Sequence, residues 1–173
     1  MFDLVLSAER CSIGDMRKLS HVLHGAVASV VALLAIFTSA CSSPQPFTVT
    51  IESEVINASV DSSQYEPMFY VTTNLPQGTE LTFTLEGPGG YTGQDTETIS
   101  KGGTAISDYF TMQGNPLRSG AYTLTVSMSI ARLQPTSVQK VIGAKGEMLQ
   151  GPLVQVDSFG SGNWVSAEFH YTF

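Results

Sequence analysis

Cysteine is scarce in this sequence of 173 residues, which contains only Cys11 and Cys41. If cleavage occurs before Cys41, as the leader described below predicts, one cysteine remains and stands at the new N-terminus. A single cysteine cannot form a disulfide within the domain that follows. We therefore expect side-chain packing alone to hold that domain together.

Basic residues are also scarce, and their shortage excludes one class of partner. Of 8 basic and 15 acidic residues, three of each lie in residues 1–40, which leaves five bases and twelve acids in residues 41–173. An acidic domain repels the phosphate backbone, and no basic stripe interleaved with aromatic residues is present. We predict that the protein does not bind nucleic acid.

Few groups are available for catalysis, because His170 is the only histidine after residue 40. No G-x-S-x-G motif supplies a nucleophile for it. The side chain alternates with the apolar residues of its predicted strand, so we expect it to face solvent. A catalytic histidine needs a third group to orient it, for which Asp157 or Asp108 would be the candidates, but no motif pairs either of them with His170. We predict no catalytic residue.

Metal and cofactor motifs are missing as well. Residues 41–173 lack the closely spaced His and Cys ligands of a zinc site, and no glycine loop has the pattern that cradles a phosphate. The weaker candidates are carboxylates: a calcium site from Asp95, Glu97 and Asp108, or a catalytic pair of the glycosidase kind formed by Glu52 and Glu54. Two acids on one short strand are more typical of a soluble or edge-protecting face. We predict no resident metal and no cofactor.

The first 40 residues have the organisation of an export leader. Arg17 and Lys18 provide a basic start, residues 19–40 contain no charged side chain, and residues 26–37 (AVASVVALLAIF) form an apolar core. This pattern predicts a signal peptide with a hydrophobic helix. The leader has an ordinary length if translation starts at Met16, and residues 16–40 are then the signal peptide; a start at Met1 is the alternative.

Small residues precede Cys41, and the run Ser39, Ala40, Cys41 resembles the lipobox of bacterial lipoproteins. That pattern has Leu three places before the cysteine, where this sequence has Thr38. The resemblance implies cleavage after Ala40 and attachment of a diacylglycerol thioether and an N-acyl chain to Cys41. More than one acyl chain is needed for stable anchoring. Ser42 resembles the outer-membrane sorting signal of Gram-negative lipoproteins.

Two other interpretations of the leader remain open. Residues 19–40 are long enough to persist as a transmembrane anchor, and an ordinary signal peptide would leave a free cysteine. All three interpretations place the remaining chain outside the cytoplasm. With the lipid anchor, it lies in the cell envelope, facing the outer membrane or periplasm if the source is Gram-negative. Residues 41–46, with Pro44 and Pro46, then form a tether, and residues 47–173 form the domain.

Apolar and polar side chains alternate through most of the sequence after residue 46. The alternation is clearest in residues 47–52, 81–86, 120–130 and 164–173, and weaker in residues 68–73, 96–100, 104–112 and 153–159. Half-buried strands have this period. Gly, Pro, Asn and Asp separate the stretches, and the glycine-rich residues 87–93 predict a loop. The pattern predicts an all-β domain, an antiparallel β-sandwich of about seven to nine strands.

One of these stretches carries a family resemblance. Residues 117–126 (LRSGAYTLTV) resemble the penultimate strand of immunoglobulin-like and fibronectin type III-like modules, in which a Gly turn leads into Tyr-x-Leu-x-Val. The resemblance implies an immunoglobulin-like sandwich in which the Tyr122 hydroxyl bonds back to the backbone. The alternative is that Tyr122 is a plain core aromatic residue. The Cys…Trp…Cys framework of antibody domains is absent.

Residues 133–152 lack this alternation and are long for a connection within a sandwich. They contain Lys140 and Lys145, two of the five bases of residues 41–173. One hypothesis is a recognition loop that presents these charges; the other is a solvated insertion with a short helix or hairpin at residues 137–142. Trp164, beside glycine-rich residues 160–163, is a further candidate contact residue, because Trp is favoured at interfaces. A core or sheet-edge position is its alternative.

Together these features predict a membrane-anchored exported lipoprotein whose β-sandwich is a non-catalytic binding or structural module at the cell envelope. Its partners would be the membrane, through Cys41, and a protein or other envelope component. One alternative is a glycan-binding module with an exposed aromatic platform from Tyr91, Tyr109 or Trp164. The other is an envelope hydrolase built on His170.

Overall fold

Strands dominate the part of the chain that the structure, a computed structural model, describes: residues 44–56 and 64–173. The predicted leader, the cleavage after Ala40 and the lipidation of Cys41 lie outside these residues. The strands are β1 (Phe47–Thr48), β2 (Ile51–Ile56), β3 (Gln64–Tyr65), β4 (Met68–Thr73), β5 (Glu80–Gly87), β6 (Tyr91–Thr98), β7 (Thr104–Ile106), β8 (Leu117–Arg118), β9 (Ala121–Met128), β10 (Leu149–Gln150), β11 (Val154–Gln155) and β12 (Trp164–Thr172). Between them lie the helix α1 (Thr136–Ile142) and two 3-10 turns, Pro88–Gly90 and Ala131–Leu133.

The larger sheet contains five antiparallel strands in the order β11-β12-β9-β5-β6. β9 is central and pairs with β12 on one side and with β5 on the other. The alternation predicted for it is confirmed, since its four large apolar residues are buried: Tyr122, Leu124, Val126 and Met128. A shift of the strand by one residue would expose all four, so the hydrophobic pattern determines the register.

The smaller sheet contains three antiparallel strands in the order β2-β4-β7. Phe69 and Val71 of the central strand β4 are fully buried. β2 lies at the edge, where Glu52 and Glu54 are exposed. Charged side chains on an edge strand oppose its pairing with another chain, which is the edge-protecting role considered for these acids.

The two sheets share one hydrophobic core. The ring of Phe69 in β4 contacts that of Tyr171 in β12, with centroids 5.1 Å apart. The Tyr171 hydroxyl also donates a hydrogen bond to the backbone oxygen of Ser53 in β2, at 3.0 Å. The predicted all-β class and antiparallel sheets are confirmed, in an arrangement consistent with a sandwich. Seven strands have three or more residues, and five two-residue strands supplement them.

One strand pair departs from the antiparallel pattern. β1 runs parallel to β10, with Phe47 opposite Leu149. The N–H of Phe47 donates to the Met148 oxygen and the N–H of Val49 donates to the Gln150 oxygen, both at 2.9 Å. This pair determines where residues 44–46, part of the predicted tether, join the domain, which is beside the chain that follows α1.

The short helix expected within residues 133–152 is confirmed, but the segment packs more closely against the domain than a solvated insertion would. α1 occupies the stretch for which a short helix was considered, and its Val138 and Ile142 are fully buried. Residues four apart on a helix lie on the same face, which here packs into the core. Leu149 of β10 is buried as well.

No helix among the residues that the structure describes is long and apolar enough to cross a membrane.

The glycine-rich residues 87–93 form a shorter loop than predicted. β5 continues to Gly87 and β6 begins at Tyr91, so only Pro88–Gly90 turns the chain. Gly87 and Gly93 lie within strands. Both positions require glycine, because a side chain there would overlap a tyrosine. A Cβ at Gly87 would meet the Tyr122 ring, and a Cβ at Gly93 would meet the Tyr91 hydroxyl. Glycine here provides space for aromatic rings and does not break the strands.

Candidate functional site

The sandwich has two ends that differ in character. At the tether end, β1 and β5 begin, β9 ends, and both α1 and the loop of residues 156–163 are found. At the far end, β5 ends, β9 begins, and the turn Pro88–Gly90 approaches residues 112–118. The nine residues of β12 run from one end to the other.

The three residues predicted to bind a partner all lie at the tether end, and all are exposed. Lys140 is in the last turn of α1, Lys145 is in the turn that follows, and Trp164 is the first residue of β12. Asn163 links the last two. Its N–H donates to the backbone oxygen of Lys145 at 2.7 Å, and its Nδ2 donates to the Gly146 oxygen at 3.0 Å.

The carboxylate of Asp157 organises the loop of residues 156–163. Its Oδ1 accepts the N–H of Phe159 at 3.1 Å, and its Oδ2 accepts the N–H of Ser161 at 2.6 Å. A side-chain hydrogen bond from Ser161, then these backbone bonds, and then the charge of Arg132 lower the pKa of Asp157. The loop is therefore held by an ionised carboxylate near neutral pH.

The side chains displayed around this loop are apolar. Val156 is 77% exposed, Phe159 is 93% exposed and Trp164 is 36% exposed. The strand predicted over residues 153–159 is wrong beyond Val154–Gln155, because the chain turns at Asp157. Trp164 is thus neither a core residue nor deeply covered, and it shares a hairpin with the most exposed aromatic ring of the described residues.

Gln134 joins the chain before α1 to the larger sheet. Its buried Oε1 accepts the N–H of Glu80 at 2.9 Å, and its Nε2 donates to the Glu80 oxygen at 3.2 Å and to Ser129 Oγ at 3.1 Å. A buried amide is tolerated when its donors and acceptor are all bonded. Sequence reasoning missed this residue, since no local pattern distinguishes a buried glutamine from an exposed one.

Tyr122 organises the far end. Its buried ring directs the hydroxyl to the backbone oxygen of Arg118, to which it donates a hydrogen bond at 2.8 Å. This is the backbone bond that the family resemblance implied. Burial raises the pKa of Tyr122, and burial followed by the proximity of Tyr122 raises the pKa of Tyr91 to about 12. Both phenols remain protonated near neutral pH.

A cleft of about 480 Å³ opens beside Tyr122 at the far end. Its volume lies in the range of small-ligand sites, about 300–1,000 Å³. The lining combines apolar and polar groups: Pro88, Gly89, Met112, Gln113, Asn115, Pro116, Leu117, Arg118 and Tyr122. Sequence reasoning missed this cleft, because its two walls are distant along the chain. The turn signal of Gly114, Asn115 and Pro116 was the only local hint.

The histidine considered for catalysis lies on the open face of the larger sheet. His170 is exposed, and its Nδ1 is 3.2 Å from Thr123 Oγ1 on the adjacent strand β9. No carboxylate in the described residues bonds to the ring. A hydroxyl nucleophile requires a histidine that is itself oriented. The His170–Thr123 pair therefore does not constitute a triad.

The carboxylates considered for calcium are engaged with backbone. Asp95 and Asp108 do lie close together, but Asp95 Oδ2 accepts the N–H of Asp108 at 2.8 Å and its Oδ1 accepts the N–H of Thr96 at 2.8 Å. Within residues 44–56 and 64–173, no three His, Cys, Asp or Glu residues are grouped so that they could hold a metal ion.

The aromatic residues considered for a glycan platform are not equivalent. Tyr109 and Trp164 are exposed, whereas Tyr91 is buried and its hydroxyl is directed to the Thr111 oxygen. Tyr91 also lies at the far end, opposite Gly87, while Trp164 lies at the tether end. Tyr91 therefore cannot contribute to an exposed platform.

Comparison of the chain with protein-family models, with curated proteins and with solved structures finds no match.

Proposed function

We propose that the chain is an exported lipoprotein anchored through Cys41, and that its β domain is a non-catalytic module that binds a protein or other envelope component in the far-end cleft. One observation supports this assignment most directly. The chain joins the domain at the tether end, through β1, whereas the cleft opens at the opposite end, beside Tyr122.

This separation suits a module held at a membrane. A nine-residue strand such as β12 is about 30 Å long, so a ligand in the cleft would be held well clear of the attachment point. The cleft walls are a tight turn and a segment braced by the Tyr122 hydrogen bond, so the site lies on a rigid part of the scaffold. Rigid supports reduce the entropy lost on binding.

The finer proposal for the fold is an immunoglobulin-like sandwich of the fibronectin type III-like kind. Strands β2, β4, β5, β6, β7, β9 and β12, labelled A, B, C, C′, E, F and G, lie in the order A-B-E in one sheet and G-F-C-C′ in the other. Immunoglobulin sandwiches place A, B and E in one sheet and G, F and C, with an added C′, in the other. The bonded Tyr122 lies on F, where a tyrosine corner belongs.

Lipidation is tested by mass spectrometry of the mature protein from the membrane fraction. The expected N-terminal peptide begins at Cys41 and carries both acyl modifications, and Cys41→Ala should abolish this lipid-bearing peptide. Wild-type protein that is recovered from the membrane with its leader intact would support a transmembrane anchor instead.

Binding in the cleft is tested by photo-crosslinking in intact cells. A benzophenone amino acid placed at Met112, in the cleft, should give a defined adduct. The same group at Ile106, exposed on the outer face of the smaller sheet, is the matched control and should not. Identical adducts from both positions, or none from Met112, would contradict a site in the cleft.

A further inference from the structure

We propose that the tether end carries a membrane-contact surface, formed by Val156, Phe159 and Trp164 with the flanking bases Lys140 and Lys145, which rests on the phospholipid headgroups around the anchor. The inference rests on the proposed anchoring at Cys41. It assigns to the predicted contact residues a lipid partner in place of a protein.

Exposed apolar side chains are concentrated at this end. Single exposed apolar residues are normal on a soluble domain, whereas a group of them marks an interaction site. Of the eight large apolar residues that are exposed in the described part of the chain, five lie at the tether end: Leu133, Val141, Val156, Phe159 and Trp164. Two of them are aromatic, the side-chain type favoured where membrane meets water.

Hydrogen bonds place this surface next to the point where the tether joins the domain. Residues 145–148 bond on one side to Phe47, the first residue of β1, and on the other to Asn163, the last residue of the loop. Four consecutive residues span at most about 11 Å between their terminal Cα atoms. With one hydrogen-bonded neighbour on each side, Phe47 and Asn163 lie within about 20 Å of each other.

The tether is too short to let the domain turn over. Six peptide steps separate Cys41 from Phe47, which is at most about 20–22 Å when fully extended. Pro44 and Pro46 favour that extended form. The far end lies about 30 Å from the tether end along β12, beyond the reach of the tether. Of the two ends, the tether end is therefore the one that an anchor at Cys41 brings to the headgroups.

The charge of this region differs from that of the remaining domain. Residues 129–163 contain three bases and two acids, whereas the rest of residues 41–173 contains two bases and ten acids. The two acids, Glu147 and Asp157, accept backbone N–H groups, from Lys145 and from the loop respectively. Lys140 and Lys145 are exposed. Anionic lipid headgroups attract such bases and repel acids, so residues 129–163 suit an anionic phospholipid surface, whereas the remaining domain, which includes Glu80 at the start of β5, is acidic.

The sequence provides its own reporter, because Trp164 is the only tryptophan in the chain. The full-length lipidated protein is reconstituted into vesicles of phosphatidylethanolamine and phosphatidylglycerol with brominated acyl chains, which quench tryptophan only at close range. We expect Trp164 emission to shift to the blue in unbrominated vesicles and to be lost in brominated ones.

Matched variants separate the surface from the anchor. Val156→Ser with Phe159→Ser should reduce the quenching, and because both side chains point into solvent the fold should be unaffected. Ile106→Ser, an exposed residue of similar size on the smaller sheet, should leave the quenching unchanged. Lys140→Glu with Lys145→Glu should reduce it in vesicles that contain phosphatidylglycerol.

The two proposals fail in distinguishable ways. If mass spectrometry finds the lipid on Cys41 but brominated lipid does not quench Trp164, the anchor stands and the contact surface is overturned. The surface is also overturned if quenching is equal in the double serine variant, or if Trp164 emission shifts only when envelope proteins are added. If Cys41 carries no lipid, the anchoring fails and this inference fails with it.

Discussion

The far end of the sandwich is closed by aromatic rings, whereas the tether end is closed by aliphatic side chains of α1 together with hydrogen bonds from an amide and a carboxylate. At the far end, the ring of Phe173 lies 5.2 Å from that of Tyr122 and 6.2 Å from that of Tyr171. At the tether end, Val138 and Ile142 of α1 are buried, and Gln134 and Asp157 add hydrogen bonds to the backbone. The far end is thus stabilised by buried aromatic rings, whereas the tether end is stabilised without them.

This difference explains where the exposed apolar side chains are found. A loop braced by Asp157 keeps its shape without burying Phe159, so the ring is available for contact. At the far end, by contrast, exposure of the Tyr122 ring would remove a buried side chain from the hydrophobic core. Because hydrogen bonds hold the loop at the tether end, its apolar side chains can remain exposed, whereas the aromatic rings that hold the far end must be buried.

The largest expected effect tests whether the tether end is part of the core at all. Ile142→Ala removes a fully buried side chain from α1 and should lower the free energy of unfolding by about 2–5 kcal/mol. Val141→Ala, at the exposed neighbouring position, should change it by less than about 0.5 kcal/mol. Urea unfolding followed by circular dichroism measures both, and equal effects would mean that α1 does not pack as described.

The next effect tests the polar closure. Gln134→Ala leaves the N–H and oxygen of Glu80 without their partner, and should lower the free energy of unfolding by about 1–3 kcal/mol. Gln155→Ala, exposed on β11, is the control and should have little effect. If the two variants unfold alike in urea, the Gln134 bonds do not hold the tether end.

The aromatic closure is tested by removal of one oxygen atom. Tyr122→Phe retains the ring but loses the bond to Arg118, and should reduce the free energy of unfolding by about 1 kcal/mol. Tyr70→Phe serves as the control. Thermal unfolding in a calorimeter compares them, and an unchanged Tyr122→Phe protein would make the ring alone responsible for the far end.

Acid should affect the tether end in particular. The folded-state pKa of Asp157 is lowered, so its contribution is present above the unfolded value of about 4 and is lost as the pH falls through the folded value. NMR amide shifts of Phe159 and Ser161 should therefore change together below about pH 4. Asp157→Asn should abolish this transition; its persistence in that variant would assign it to another group.

Alkali should affect the far end instead, because the pKa of Tyr91 is raised whereas that of Asp157 is lowered. The pKa of Tyr91 is raised to about 12, so its contribution is complete below the unfolded value and is lost as the pH rises through the folded one. Tyrosinate absorbance should report ionisation of Tyr91 later than that of an exposed tyrosine, which ionises near pH 10.

The sequence predicted the long strands β5, β9 and β12 well, whereas most of β6 and the two-residue strands were predicted poorly. β5, β9 and β12 each bury one face, and a half-buried strand must alternate. The two-residue strands β1, β3, β8, β10 and β11 have no room for a pattern and form only because distant partners meet. The helix α1 is hard to predict from the sequence for a similar reason, since only two of its seven residues, Val138 and Ile142, are buried.

Candidate contact residues could be predicted from the sequence where they are of a rare type. They could not be predicted where the folded chain brings distant segments together. Lys140, Lys145 and Trp164 are rare residue types in this domain, which is why they were noticed. That they share one end follows from the bonds of Asn163, which no periodicity indicates. The cleft beside Tyr122 joins segments that only the folded sheet brings together.

The parallel pair of β1 and β10 has a mechanical consequence. A load that pulls the domain away from an anchor at Cys41 would act first on β1, which two backbone bonds from Phe47 and Val49 hold to β10. The next strand, β2, is held more strongly, by six residue pairs with β4. β1 would detach before the sandwich opens, and release of Phe47 and Thr48 would lengthen the tether by about 7 Å, at 3.3 Å per residue. This extension ends at Val49, because its side chain is buried in the core.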